Sequence, residues 1–454
     1  MLDMHTIDAE QQITAGTRTG RAHVRAHGSR VKHVEVLVKI SELALLILGD
    51  LDPDRHTSPG EPHPTGCPKS PSSPQLRDRG SLVANTTPPA RPRSRCSHGS
   101  IHLSHRFTEL DGLRGLAAIA VIVGHFTTTF TMLYPDAPAA SIDFPHGGFG
   151  VQLFFIISGF VILMSAERSK RASDFAISRF TRLYPAYWIA VIISIIVGSI
   201  AQVPGTQLTP LEMLLNFTMI QRLLLVPDVN GAFWTLAVEM QFYVIVLLIL
   251  WITKCHLTDR LLRWLVAVWL LIATATATVA WLTSPGVDIG LAPTLIRVMV
   301  NVALSEYGPL FCLGMLLFMS RRNASFEWLS VGAAAVAVLN AYLLHSVLHA
   351  AVVACISLLF GLVALRKSTR VLRWKPLLWI GKISYSLYIL HVVVGYATID
   401  FLWPFVGRDF AMIGAAAIVT LLAWALHAVA EERMSRSWRR TLTRWRDRTR
   451  EVSR

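Results

Sequence analysis

The chain has 454 residues, 53% of them hydrophobic and only 16% charged, whereas soluble domains run nearer a quarter charged. Its net charge of +14 does not point to nucleic acid. Nine arginines fall between Arg433 and Arg454, and most other basic residues sit in short loops between apolar blocks, where they report topology or meet anionic lipid. The apolar blocks run to about 18–24 residues, long enough to cross a bilayer core. Short strands of alternating polarity, the mark of a membrane barrel, are lacking. The class that follows is an all-α integral membrane protein with about ten transmembrane helices and a disordered N-terminal extension.

Residues 1–105 form that extension. The stretch "PGEPHPTGCPKSPSSPQLRDRGSLVANTTPPARPRSRCSHGS" is rich in Pro, Ser, Arg and Gly and is expected to be disordered, because it cannot bury enough apolar surface to fold. "LALLIL" at 43–48 is too short for a span and lacks the flanks of a signal peptide. A gene start assigned too early is the other reading of this region. No methionine stands between Met4 and Met132, so a later start would need a non-standard codon. The cysteines, at 67, 96, 255, 312 and 355, show no metal-ligand spacing, so neither a disulfide framework nor a metal site is expected.

Candidate spans follow at about 110–133, 147–165, 183–203, 232–252, 261–283, 302–319, 326–345, 347–365, 376–400 and 410–430. An interrupted amphipathic stretch near 211–226 is expected to lie on or dip into the surface. Arg168, Lys170, Arg171, Arg179 and Arg182 follow span two. Lys254, Arg260 and Arg263 follow span four, Arg321 and Arg322 span six, and Arg366, Lys367, Arg370, Arg373 and Lys375 span eight. The opposite loops hold only Arg222, Arg297 and Arg408. This alternation places both termini in the cytoplasm.

Ionisable residues inside spans are costly and mark pathways or reaction sites. Span one carries Asp111, Arg114 and His125. The last two share a face about 16 Å apart, with Arg114 near the inner mouth. Counting helical rise, Glu239 of span four and His391 of span nine fall at the depth of His125, with Ser158 a turn deeper. Two histidines and a carboxylate would then meet in one buried pocket. Ser158, Ser384 and Tyr385 are read first as hydroxyls that join helices, and His427 as a packing residue. The functional reading is favoured for His125 and Glu239, and the two readings balance for His391.

An imidazole beside a carboxylate suits general-base work on an alcohol. No "GxSxG", "HExxH", phosphate loop or dinucleotide fingerprint is found. Arg114, Arg179 and Arg182 cluster at the mouths of spans one and three, and arginine's fork suits phosphate. The arrangement fits a phosphate-bearing donor entering from the cytoplasm. The alternative is a proton-coupled secondary transporter with His125 and Glu239 as its relay. Pro309 and Gly314, which interrupt span six, lend it slight support, but no convincing repeat joins the two halves. A sensor or acceptor-binding protein without catalysis is a third reading.

Five stretches in order resemble the membrane-bound acyltransferase-3 family, which O-acylates sugars of surface polysaccharides, lipids and some secondary metabolites. They are "ELDGLRGLAAIAVIVGHF", "GGFGVQLFFIISGFVI", "SRFTRLYPAYW", "FWTLAVEMQFY" and "ISYSLYILH". The resemblance implies a ten-span domain over 106–432, followed by a basic cytoplasmic tail at 433–454, in a bacterial-type inner (plasma) membrane. It implies cytoplasmic acyl-CoA as co-substrate, acetyl-CoA by family frequency, with no bound cofactor, and a carbohydrate or glycolipid acceptor. His125 is then catalytic, Arg114 acts in donor binding, and Glu239 and Arg182 are important positions. Gln152 stands where many relatives carry an acidic residue, so no role requiring charge is carried over there. Some relatives continue into a periplasmic hydrolase-like domain, and a separate periplasmic partner would supply that function here.

Overall fold

The computed structural model describes residues 107–452 apart from positions 286, 288, 367 and 368. The extension expected at 1–105, with Cys67 and Cys96, lies outside the described residues. Among the described residues every regular element is helical, and nine helices are long and apolar enough to cross a membrane. The expected seventh span is a shorter apolar helix, Leu329–Leu344. Its 16 residues rise only about 24 Å.

The first helices are α1 (Thr108–Gly124), α2 (Gly150–Glu167), α3 (Ala172–Ala201), the short α4 (Pro210–Asn216) and α5 (Phe233–Ile252). They are followed by α6 (Asp259–Thr283), α7 (Thr294–Ala303), α8 (Gly308–Asn323), α9 (Leu329–Leu344) and α10 (Val347–Leu365). The last three are α11 (Lys375–Val406), α12 (Arg408–Leu426) and α13 (Ser435–Val452). α11 packs against α1, α3 and α12 and forms the centre of the fold. Glycines set how closely helices approach. A Cβ at Gly314 in α8 would overlap the Ile156 carbonyl of α2, and one at Gly381 in α11 would overlap the Asp111 carbonyl of α1.

Two sequence expectations are corrected here. The third span begins at Ala172 rather than near 183, so Arg179 and Arg182 lie within the helix rather than in a loop before it. Pro185 sits inside this helix without ending it. Span six is interrupted before Pro309, at the left-handed Leu304 between α7 and α8. Pro309 occupies the first turn of α8, where a missing N–H costs nothing. Gly314 is a packing position. The basic segment after residue 432 is helical to Val452. Trp438 stacks on Phe180 of α3, and Arg446 pairs with Asp174.

The stretch expected to be interfacial folds as α4 and a single 3-10 turn, Gln221–Leu224. Thr209 and Glu212 close a capping box at its start, satisfying two otherwise orphaned donors. The Asn216 amide then ties the loop together. It donates to the Pro227 carbonyl at 3.0 Å and accepts from Val229 N at 3.0 Å. This fixes the residues that precede α5, Asp228 among them.

Candidate active site: two adjoining cavities

α1 does not stay α-helical. From His125 to Thr129 it widens into a π-turn before a last turn at Phe130–Leu133. Such turns interrupt helices at functional sites more often than elsewhere. His125 is therefore the first residue of the widened turn, buried at 8% exposure.

One cavity lies toward the end of the bundle that carries the basic loops. Arg114, Arg179 and Arg182 line it together with Glu239. Glu239 Oε1 accepts from Ser158 Oγ at 2.7 Å and from the Tyr243 hydroxyl. Arg179 donates to Ser165 Oγ at 2.9 Å, and its guanidinium lies 5.9 Å from the Tyr243 ring. Its Nε is buried without a hydrogen-bond partner among the described residues. Three guanidiniums against one carboxylate, in a space walled by Phe154, Phe155 and Leu183, give a cavity with an excess of positive charge and an apolar lining.

The second cavity is lined by His125, Tyr396, Trp234 and Asp228. His125 Nδ1 lies 2.9 Å from the Tyr396 hydroxyl. The His391 ring meets the His125 ring edge-on, centroids 4.8 Å apart. His391 Nδ1 donates to the Tyr388 carbonyl at 2.6 Å, and its Nε2 is buried without a partner among the described residues. A chain of two rings links the linings of the two cavities. Tyr388 lines the first and receives a hydrogen bond from Thr235 at 2.9 Å. Its ring lies 5.4 Å from that of His391, which in turn touches His125.

The expectation of a single pocket holding His125, His391 and Glu239 is thus corrected. The histidines do meet. Glu239 belongs to the arginine cavity, and the group on the His125 ring is Tyr396. The residue count set Glu239 at the depth of His125, but its bond to Ser158 and its cavity with Arg114 are what the fold gives it; nor does a count tell which face a side chain presents. Ser158 joins Glu239 across helices, and Tyr385 donates to the Leu183 carbonyl at 2.9 Å, as hydroxyls that join helices do. Asp111 lines neither cavity.

Sequence reasoning missed Tyr243, Tyr388, Tyr396, Trp234 and Asp228. Tyr243 stands four residues after Glu239, and Tyr388 three before His391, spacings that place side chains on one helix face. Asp228 gave no such signal, because its loop has no period. Burial pushes its carboxyl up to about 6, against the opposing pull of Gln221, whose amide donates to it at 2.7 Å. A folded-state value raised above the ordinary 3.8 gives stability that is full at lower pH and lost as pH rises through the folded value. Between pH 4 and 6.5 the protein should lose on the order of 1–2 kcal/mol from this group. Thermal unfolding of Asp228→Asn across that range should lack this component. An unchanged pH slope would remove Asp228 as its source.

Multiple apolar helices around an arginine-lined cavity and a buried histidine define a multi-pass membrane protein. The chain belongs to the acyltransferase-3 family: residues 107–428 match its acyltransferase domain. The Bacillus subtilis protein YrhL, provisionally named a peptidoglycan O-acetyltransferase, is 25% identical over 332 residues, 64% of this chain and 49% of that one. The Listeria monocytogenes peptidoglycan O-acetyltransferase OatA is 23% identical over 380 residues, 69% of this chain and 54% of that one. The Streptomyces mycarofaciens acyltransferase MdmB is 29% identical over 146 residues, 30% of this chain and 38% of that one. The chain spans about half the length of the first two relatives. No solved structure matches it.

Proposed function

We propose that the protein is an O-acyltransferase that carries an acyl group, acetyl in the simplest case, from acyl-CoA to a hydroxyl of a carbohydrate or glycolipid. The donor enters the arginine cavity from the cytoplasm, its phosphates held by Arg114, Arg179 and Arg182. The acceptor enters the His125 cavity from the other side of the membrane. Trp234 offers a flat apolar face and Asp228 a hydrogen-bonding carboxyl, a pairing that suits a sugar ring.

His125 is the general base. With Nδ1–H donating to the Tyr396 hydroxyl, Nε2 carries the lone pair. It takes the acceptor's O–H proton as that oxygen bonds to the thioester carbonyl carbon. The C–S bond then breaks, and the imidazolium returns its proton to the departing sulfur as free CoA forms. Glu239, held by Ser158 and Tyr243, balances the arginine charge in the donor cavity. Acceptor and donor would meet where Tyr388 and His391 now separate the cavities.

The observation that carries this reading is the adjacency itself: an anion cavity and a histidine cavity separated by two rings. The interruption at Leu304, the feature that suits a carrier, lines neither cavity. Membranes containing the protein, given labelled acetyl-CoA and candidate glycans, should yield label as an alkali-labile ester. Gradient-driven uptake of substrate without ester would instead establish a carrier.

A further inference from the structure

Arg408 opens α12 at the end of the bundle opposite the basic loops, and it is buried at 4% exposure. No carboxylate pairs with it among the described residues. Its neighbour Asp409 forms no ion pair with it and accepts instead from Ser141 N at 3.0 Å and Ser141 Oγ at 2.5 Å. Burying a guanidinium without a counter-charge is unfavourable, so what it does contact is informative.

Its Nη2 donates to the Phe126 carbonyl. That carbonyl lies within the π-turn, directly after His125. Phe130 N–H, which in an α-helix would bond to Phe126, donates instead to the His125 carbonyl five residues back. The π-turn thereby deprives the Phe126 carbonyl of its ordinary donor, and Arg408 supplies one. The guanidinium carbon also sits 3.9 Å from the centroid of the Phe130 ring. Phe130 in turn packs edge-on against Tyr396, with centroids 5.6 Å apart, and Tyr396 holds His125 Nδ1. One side chain therefore reaches the His125 ring by two routes, through the backbone that carries it and through the aromatic that supports its hydrogen-bond partner.

We infer that Arg408 is a positioning residue: it holds the widened turn of α1 open and so fixes the His125 imidazole against Tyr396. This rests on the reading of His125 as the general base. A shift of the turn back to α-helical geometry would rotate His125 relative to Tyr396 and His391 while leaving the arginine cavity untouched. Arg408 should accordingly govern turnover rather than donor binding.

The test uses full-length protein in proteoliposomes. It measures kcat and KM for acetyl-CoA, together with the amount of folded protein, for Arg408→Gln, Arg408→Lys, Phe130→Leu and His125→Ala. Arg408→Gln should lower kcat about 10–100-fold with KM for acetyl-CoA changed less than about twofold. Arg408→Lys should recover most of the rate, because an ammonium can donate to the same carbonyl. Phe130→Leu, which keeps the charge but removes the ring between it and Tyr396, should cost roughly 3–10-fold in kcat. Should Arg408→Gln fail to accumulate, Phe130→Leu and Arg408→Lys decide. Wild-type kcat in folded Arg408→Gln or in Phe130→Leu, with His125→Ala inactive, would overturn the positioning role and leave the base reading standing. Wild-type activity in His125→Ala would overturn both.

Discussion

Replacing His125 by alanine is expected to lower ester formation by about 10²–10⁴-fold while the protein remains in the membrane at normal abundance. That loss corresponds to about 2.7–5.5 kcal/mol of transition-state stabilisation. The size follows from the role: among the described residues lining its cavity, His125 alone carries a basic ring nitrogen. His391 adjoins it but lines neither cavity. Tyr396→Phe keeps the imidazole and removes only its hydrogen-bond partner, so its effect should be smaller, roughly tenfold. The measurement is the initial rate at saturating acetyl-CoA, normalised to folded protein. An undiminished rate in His125→Ala would refute the mechanism.

Replacing Arg114 by glutamine should act on a different constant. Hydrogen bonds to charged groups contribute about 1.5–3 kcal/mol each, so removing one guanidinium from the donor's phosphates should raise KM for acetyl-CoA about 10–100-fold. The value of kcat should change little, because Arg114 lines the arginine cavity and not the His125 cavity. Arg168→Gln is the control. That residue is exposed, lines neither cavity, and should leave both constants unaltered. Steady-state kinetics on the two variants separates phosphate recognition from the general basicity of this end of the protein. If Arg114→Gln lowered kcat alone, or if Arg168→Gln matched its effect on KM, the arginine cavity would not be the donor site.

Much of this architecture can be read from the residues, and the failures have physical causes. Apolar block length located the spans because each helix must satisfy its backbone internally. The seventh span, Leu329–Leu344, was still found despite its short length because its flanks are polar. Depth was legible too: His125 and His391 do lie at one level and touch. Glu239 does not join them: it bonds Ser158 and lines the cavity of Arg114, and a residue count reveals neither that partner nor which side of a helix faces which cavity. The start of α3 was placed too late because Arg179 and Arg182 look like loop residues until a cavity is there to receive them. The π-turn at His125 leaves almost no trace in sequence, since one extra residue in a turn changes hydrogen bonding without changing composition. Tyr396 and Arg408 were missed for the same reason. Their importance comes from what the widened turn brings to them.

On the proposed function, the two cavities are halves of one reaction site reached from opposite sides of the membrane. The direct test loads proteoliposomes of known orientation, scored by protease access to the helix at Ser435–Val452, with glycan acceptor on one side and acetyl-CoA on the other. Ester should form when acetyl-CoA is on the side of that helix and acceptor on the opposite side, and should vanish in His125→Ala. Ester that forms only when donor and acceptor share one side, or that persists without His125, would contradict the account.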